Sequence, residues 1–157
     1  MTTTTDALEV DRGDTSVTRL VTDTLPDADD LPDGQVRMRV DRLALTANTV
    51  TYAEMGDMLG YWDFYPTGDD TWGRVPAMGW ADVTASAHPD VEAGGRYYGW
   101  FPVVGTVDLS VTPTRHGLRD DGEHRHAHAP VYRTFEDTRT DPLAPTGVVD
   151  AVELGDL

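Results

Sequence analysis

Apolar and polar residues alternate from Thr15 onward in "TSVTRLVTDT", with Val17, Arg19 and Val21 on one side of an extended chain and Thr18, Leu20 and Thr22 on the other. A two-residue period predicts a strand. The stretch "LPDADDLPDG" then brings Pro26, Pro32, Gly34 and a cluster of acids, which predicts a loop. In "QVRMRVDRLAL", Val36, Met38 and Val40 share one face while Leu43 and Leu45 fall on the opposite parity. That change of phase near Asp41 predicts a bulge or strand corner. Thr51 and Glu54 have capping-box spacing, Val50 and Met55 stand where a hydrophobic staple would, and Gly60 suits the position just past a helix end. A short helix over residues 52–59 follows, with Tyr52, Met55, Met58 and Leu59 near one stripe.

Strand patterns resume in "WADVTASA", "RYYGWFPVV" and "TVDLSVTP", punctuated by Pro89, Gly94, Gly95 and Gly105. Many short strands with one helix predict a mainly-β fold, a small barrel rather than a bundle or a βαβ unit. Residues 1–14 are expected to be loose, residues 15–135 to form the barrel, and residues 136–157 to be an irregular or mobile tail, because periodicity fades after Pro113.

Composition narrows the partners. A chain of 157 residues fits one domain with a real core. Its net charge is −16, and every one of its 12 basic residues is Arg. Such a surface repels phosphate backbones and anionic lipid, so neither nucleic acid nor membrane is an expected partner. With no Cys, disulfides, thiolate metal sites and a cysteine nucleophile are excluded. The N-terminus has no basic cluster followed by an apolar run, which makes a cytoplasmic location the expectation. No Gly-x-Gly-x-x-Gly turn follows a strand, a P-loop cannot be built without Lys, and a Ser-centred nucleophile elbow is missing, so no cofactor is expected in this chain.

Eleven of the 13 aromatic residues lie between Tyr52 and Phe101. Tyr61, Trp62, Phe64 and Tyr65 are nearly consecutive, so as a loop they cannot all point inward, and some become candidates for the wall of a site rather than core. Asp63 stands inside that run. Aromatic walls would desolvate it and raise its pKa, suiting it to proton transfer; a surface Asp capping its own turn is the other reading. His124, His126 and His128 alternate, and an extended backbone would put three imidazoles on one face as a weak alternative metal site. A solvated charged loop explains the same spacing.

The segments "DGQVRMRVDRLALTANTVTYAEMGDMLGYWDFYP" and "WGRVPAMGWADVTASAHPDVEAGGRYYGWFPV" resemble the N-terminal part of an uncharacterised bacterial family related to the medium-chain dehydrogenase/reductase superfamily, over residues 16–135. The resemblance implies a GroES-like, partly open β-barrel, the substrate-side half of those enzymes. It places Asn48 where zinc-dependent members carry a Cys ligand and zinc-independent, quinone-reductase-like members carry Asn, and Trp80 near a second ligand position. Neither side chain suits catalytic zinc. Gly95 replaces the Asp of a turn typical of the superfamily. Relatives continue into a Rossmann-like, cofactor-binding domain that the remaining chain does not resemble.

The leading expectation is a stand-alone GroES-like domain binding a small apolar or aromatic molecule against Asn48, Tyr52, Tyr61, Trp62, Asp63 and Trp80. A cofactor-independent cyclase or isomerase would use Asp63 or Tyr52 as proton donor and Asn48 as hydrogen-bond donor to a carbonyl. The alternatives are the substrate-side half of a nicotinamide-dependent reductase and a non-catalytic interaction module, with a homodimer left open.

Overall fold

The structure is a computed structural model that describes residues 3–142. Two sheets organise it. The smaller one comprises β1 (Thr3–Asp11), β2 (Thr18–Leu25) and the two-residue β4 (Trp72–Gly73), in the order β2-β1-β4. The alternation foreseen for β2 is present: Thr18, Leu20, Thr22 and Thr24 are exposed, and Arg19, Val21, Asp23 and Leu25 are half-buried. Residues 3–11, expected to be loose, are instead a nine-residue strand with Thr5, Ala7, Glu9 and Val10 buried. Glu9 tolerates burial because Arg19 and Arg74 reach its two carboxylate oxygens at 2.7 and 3.0 Å.

The second sheet confirms the mainly-β barrel. It contains β3 (Gln35–Ala44), β5 (Pro76–Ser86), β6 (Arg96–Pro102), β7 (Thr106–Thr114), β8 (Gly117–Asp120) and β9 (Thr134–Asp137). Antiparallel pairing runs β3-β5-β6-β9-β8-β7 and closes from β7 back to β3. The β3–β5 register slips between Arg37 and Met38 and again between Val40 and Arg42, so the phase change read near Asp41 is a real irregularity of the ladder. Val36, Met38, Ala81, Val83, Phe101, Leu118 and Phe135 fill the interior, with Phe101 and Phe135 stacked at 4.9 Å. The sheets form one body: Ala7 bridges to Val104, the Leu8 amide donates to the Val103 carbonyl at 2.9 Å, and the Thr106 amide donates to Thr5 Oγ1 at 2.8 Å.

Between β3 and β4 the chain forms α1 (Ala47–Glu54), α2 (Gly56–Leu59) and a 3-10 turn over Tyr61–Phe64. The helix starts earlier than its sequence suggests. Thr46, not Thr51, is the cap, because Thr49 takes the role usually held by Glu or Gln: its hydroxyl accepts from the Thr46 amide at 3.1 Å while Thr46 Oγ1 accepts from the Asn48 amide at 3.2 Å. The foreseen stop is where the residues indicate, Gly60 taking the left-handed conformation at φ 72°. Of the tail read from residue 136, the first two residues belong to β9, and residues 143–157 lie outside the described residues. Among the described residues no helix is long and apolar enough to cross a membrane.

Candidate functional site

The early start of α1 puts Asn48 in its first turn, exposed, and Tyr52 one turn on, half-buried. Beneath them lies the outer wall of the barrel. In β6 the parity separates Tyr97 and Phe101, which enter the core, from Tyr98 and Trp100, which face outward under α1. Asn48, Thr49, Tyr52, Met78, Tyr98 and Trp100 together surround a cavity of about 80 Å³. That is room for a carbonyl group or a few waters, not for a whole metabolite.

Across α1 lies a second hollow of about 320 Å³, lined mainly by Leu8, Val10, Leu45, Val50, Ala53 and Val75. Thr46 and Thr49 border both spaces, so the capped first turn of α1 is the ridge between a greasy groove and an aromatic, hydrogen-bonding cavity. Leu45 and Val50 are each 61% exposed, which leaves the groove open on its outer side.

The aromatic rings form a connected array. Tyr52 meets Tyr61 edge-on at 4.7 Å and Trp100 at 5.1 Å, and Tyr132 closes on Trp100 at 5.5 Å. Tyr61 and Tyr132 share a hydroxyl–hydroxyl hydrogen bond of 3.3 Å. Burial, and then the nearby Tyr132, push the Tyr52 phenol above its ordinary pKa. Tyr61 is pushed up to about 12, first by its hydrogen bond with Tyr132 and then by burial. Both are therefore neutral at physiological pH, and Tyr52 faces the cavity as a hydrogen-bond donor.

The other sequence-derived candidates fare differently. Trp62 is buried core: it packs with Val10, Ala53 and Val75, wedged against Gly56 and Gly73. The 3-10 turn directs Trp62 and Phe64 inward and leaves Asp63 exposed to solvent, with its amide donating to the Gly60 carbonyl at 3.2 Å. Asp63 is thus a turn residue, not an acid desolvated by aromatic walls. Trp80 is also buried, tilted against Tyr98 at 4.6 Å, with its indole nitrogen lacking a hydrogen-bond partner. It supports the wall of the small cavity from behind. Tyr61 lies in the aromatic array behind Tyr52 and does not border the cavity.

The alternating histidines do not converge. Residues 123–125 form a 3-10 turn rather than a strand, His124 and His126 point to solvent, and His128 lies against Phe64 at 4.4 Å. Burial and then Arg125 lower the His128 pKa. Among the described residues no three His, Asp or Glu side chains gather as a metal site. Behind the array, Arg125 is fully buried, its guanidinium 4.4 Å over Phe64 and 5.0 Å over Tyr65. It faces the buried Asp120 at 3.1 Å and donates to the Tyr132 carbonyl at 2.5 Å. This Arg holds Tyr132 in the array.

Tyr98, Trp100 and Tyr132 were not singled out from the sequence. The parity of "RYYGWFPVV" carried the signal for the first two, because Tyr97 and Phe101 cannot enter the core without turning Tyr98 and Trp100 out. The chain matches a family model described as protein of unknown function (DUF2855) over residues 43–152. No curated protein matches the chain.

Proposed function

The chain belongs to the DUF2855 family, and on that premise we propose that it binds a small, largely apolar molecule carrying a carbonyl or hydroxyl oxygen. One observation carries this reading: the apolar groove and the hydrogen-bonding cavity meet at the first turn of α1. At about 320 Å³ the groove is at the lower end of the size range of small-molecule sites. The ligand's apolar body fills the space between β1 and α1, and its oxygen reaches toward Tyr52 and Asn48. A neutral phenol and a neutral amide suit a carbonyl better than an anion, and the acidic surface disfavours anions further.

If the site turns a substrate over without a cofactor, as a cyclase or isomerase would, Tyr52 is the proton donor and Asn48 polarises the carbonyl. The test is binding of a panel of quinone-like and polyketide-like carbonyl compounds by thermal shift and by chemical-shift perturbation. Binders should stabilise the protein and perturb the amides of residues 45–53. A panel of ligands that bind but perturb only other regions would refute this location.

A second reading is favoured by the exposure of Leu45, Val50, Met58 and Leu59, between 54% and 69%, on the segment that borders the groove. These side chains would be covered if the groove were one half of a cleft. Together with the resemblance to the dehydrogenase/reductase superfamily, this supports the substrate-side half of a nicotinamide-dependent reductase. The ligand class is the same; the second reading adds a requirement for a nicotinamide-binding partner domain before any hydride moves. Turnover that appears only when such a domain is supplied favours it over the cofactor-independent version.

A further inference from the structure

Among the described residues β2 of the three-stranded sheet pairs only with β1, and none of them covers its other edge. The Asp11 amide donates to the Val17 carbonyl at 2.9 Å, and the β1–β2 register continues through Glu9↔Arg19, Ala7↔Val21 and Thr5↔Asp23. Alternation of the antiparallel ladder then turns the main-chain groups of Arg19, Val21 and Asp23 toward β1 and those of Thr18, Leu20, Thr22 and Thr24 toward the free edge. An eight-residue edge of this kind, rich in Thr, Val and Leu and free of Pro, is a template for pairing.

We infer that β2 pairs antiparallel with the β2 of a second copy, about a two-fold axis through Val21. Three properties of the strand select that occupant and that register. First, it places Arg19 opposite Asp23 of the other copy, twice. These are opposite charges on the same face of the strand, and each keeps exposed surface, 40% and 35%, although Arg19 already pairs with Glu9, approaches Asp69 and lies over the Trp72 ring, and Asp23 pairs with Arg74. Centring the pairing on residue 20 or 22 leaves Arg19 facing an apolar residue. Second, it sets Thr18 opposite Thr24 and Leu20 opposite Thr22, all with main-chain groups pointing outward, for about eight inter-copy hydrogen bonds. Third, it brings the two Leu20 side chains into diagonal contact. Leu20 is 78% exposed, more than any other large hydrophobic residue of the described chain, and pairing would cover it. The contact is isologous and closes on itself, so it makes dimers and not fibres.

This edge adjoins the groove beside α1, since Leu20 stands directly across from the groove residue Leu8, but the pairing rests on the main-chain groups and charges of β2 and not on what the groove binds. The absence of Cys makes a register-specific test clean. In the inferred dimer Val21 faces its own twin as a non-hydrogen-bonded pair, where Cβ atoms come within disulfide reach, whereas the two Thr24 residues lie far apart. Val21→Cys should cross-link under mild oxidation to twice the 17.2 kDa chain mass, at least about tenfold faster than Thr24→Cys. Sedimentation of the unmodified chain at about 0.15 M salt, which screens the −16 charge, should show a concentration-dependent dimer. Leu20→Lys should return it to monomer with an unchanged circular dichroism spectrum. The inference is overturned if the chain is monomeric up to roughly 0.5 mM, if Thr24→Cys cross-links as fast as Val21→Cys, or if folded Leu20→Lys still dimerises.

Discussion

The indole of Trp62 lies so close to Gly73 that a Cβ added at that glycine would fall 2.1 Å from ring atom Cε3, and one at Gly56, against the other end of the ring system, 2.2 Å from Cε2. The ring is clamped between β4 and the start of α2. Gly73→Ala should therefore displace the ring and cost about 1–3 kcal/mol by overpacking, and Trp62→Ala about 3–5 kcal/mol by the cavity it leaves. Urea unfolding measures both. A Trp62→Ala protein as stable as the parent would contradict a core role.

Asp63 is solvent-exposed in the same turn, so Asp63→Asn should leave ligand affinity unchanged and stability within about 0.5 kcal/mol. Calorimetry of the two proteins with one binder decides it. A loss of affinity or turnover confined to this variant would return Asp63 to the site.

Arg125 and Asp120 are a buried ion pair, with Asp120 Oδ1 also accepting from the Gly122 amide at 2.9 Å. Arg125→Met alone strands a buried carboxyl and should cost about 3–5 kcal/mol. Adding Asp120→Asn, which keeps an acceptor for Gly122, should recover a large part of that loss. A double-mutant cycle in urea reads the coupling, and strictly additive losses would mean that the two charges do not depend on each other.

Acid should weaken the fold through Asp121. Hydrogen bonding to Arg119, above all, lowers its pKa to about 2. A folded pKa below the unfolded value of about 3.9 gives stability that is present above that value and lost as pH falls toward 2. Asp120 works in the opposite sense, since burial raises its pKa. Relief of the −16 repulsion also opposes the loss. The comparison that isolates Asp121 is the stability difference between parent and Asp121→Asn, which should shrink between pH 5 and pH 2; a constant difference would contradict the assignment.

Much of the fold was legible because burial alternates along its strands, half-buried against exposed in β2 of the small sheet and buried against half-buried in β6 of the barrel. The first strand was not, since its inner face carries Thr5 and Glu9, and an inward Glu reads as solvent-facing until Arg19 and Arg74 are known to neutralise it. Strand β9 is only four residues long in a polar stretch, and its place is decided by pairing with β6 and β8. At the site, Asn48 and Tyr52 were both named as candidates, but the helix read over residues 52–59 left Asn48 outside it; the earlier start of α1 places both on one helix beside one cavity. The residues 61–65 were not resolvable from their order, because a 3-10 turn rotates successive side chains by a third of a turn and thereby sorts Trp62 inward and Asp63 outward.

Ligand binding at the ridge formed by the first turn of α1 is tested most directly by paired titrations. One carbonyl-bearing apolar ligand found by thermal shift is titrated calorimetrically into the parent, Asn48→Ala, Tyr52→Phe and Val50→Glu proteins. Each of the first two variants should lose about 0.5–1.5 kcal/mol of affinity, roughly two- to tenfold, from one missing hydrogen bond, and Val50→Glu should lose more by placing a charge in the groove. Undiminished affinity in all three folded variants would contradict binding at this ridge.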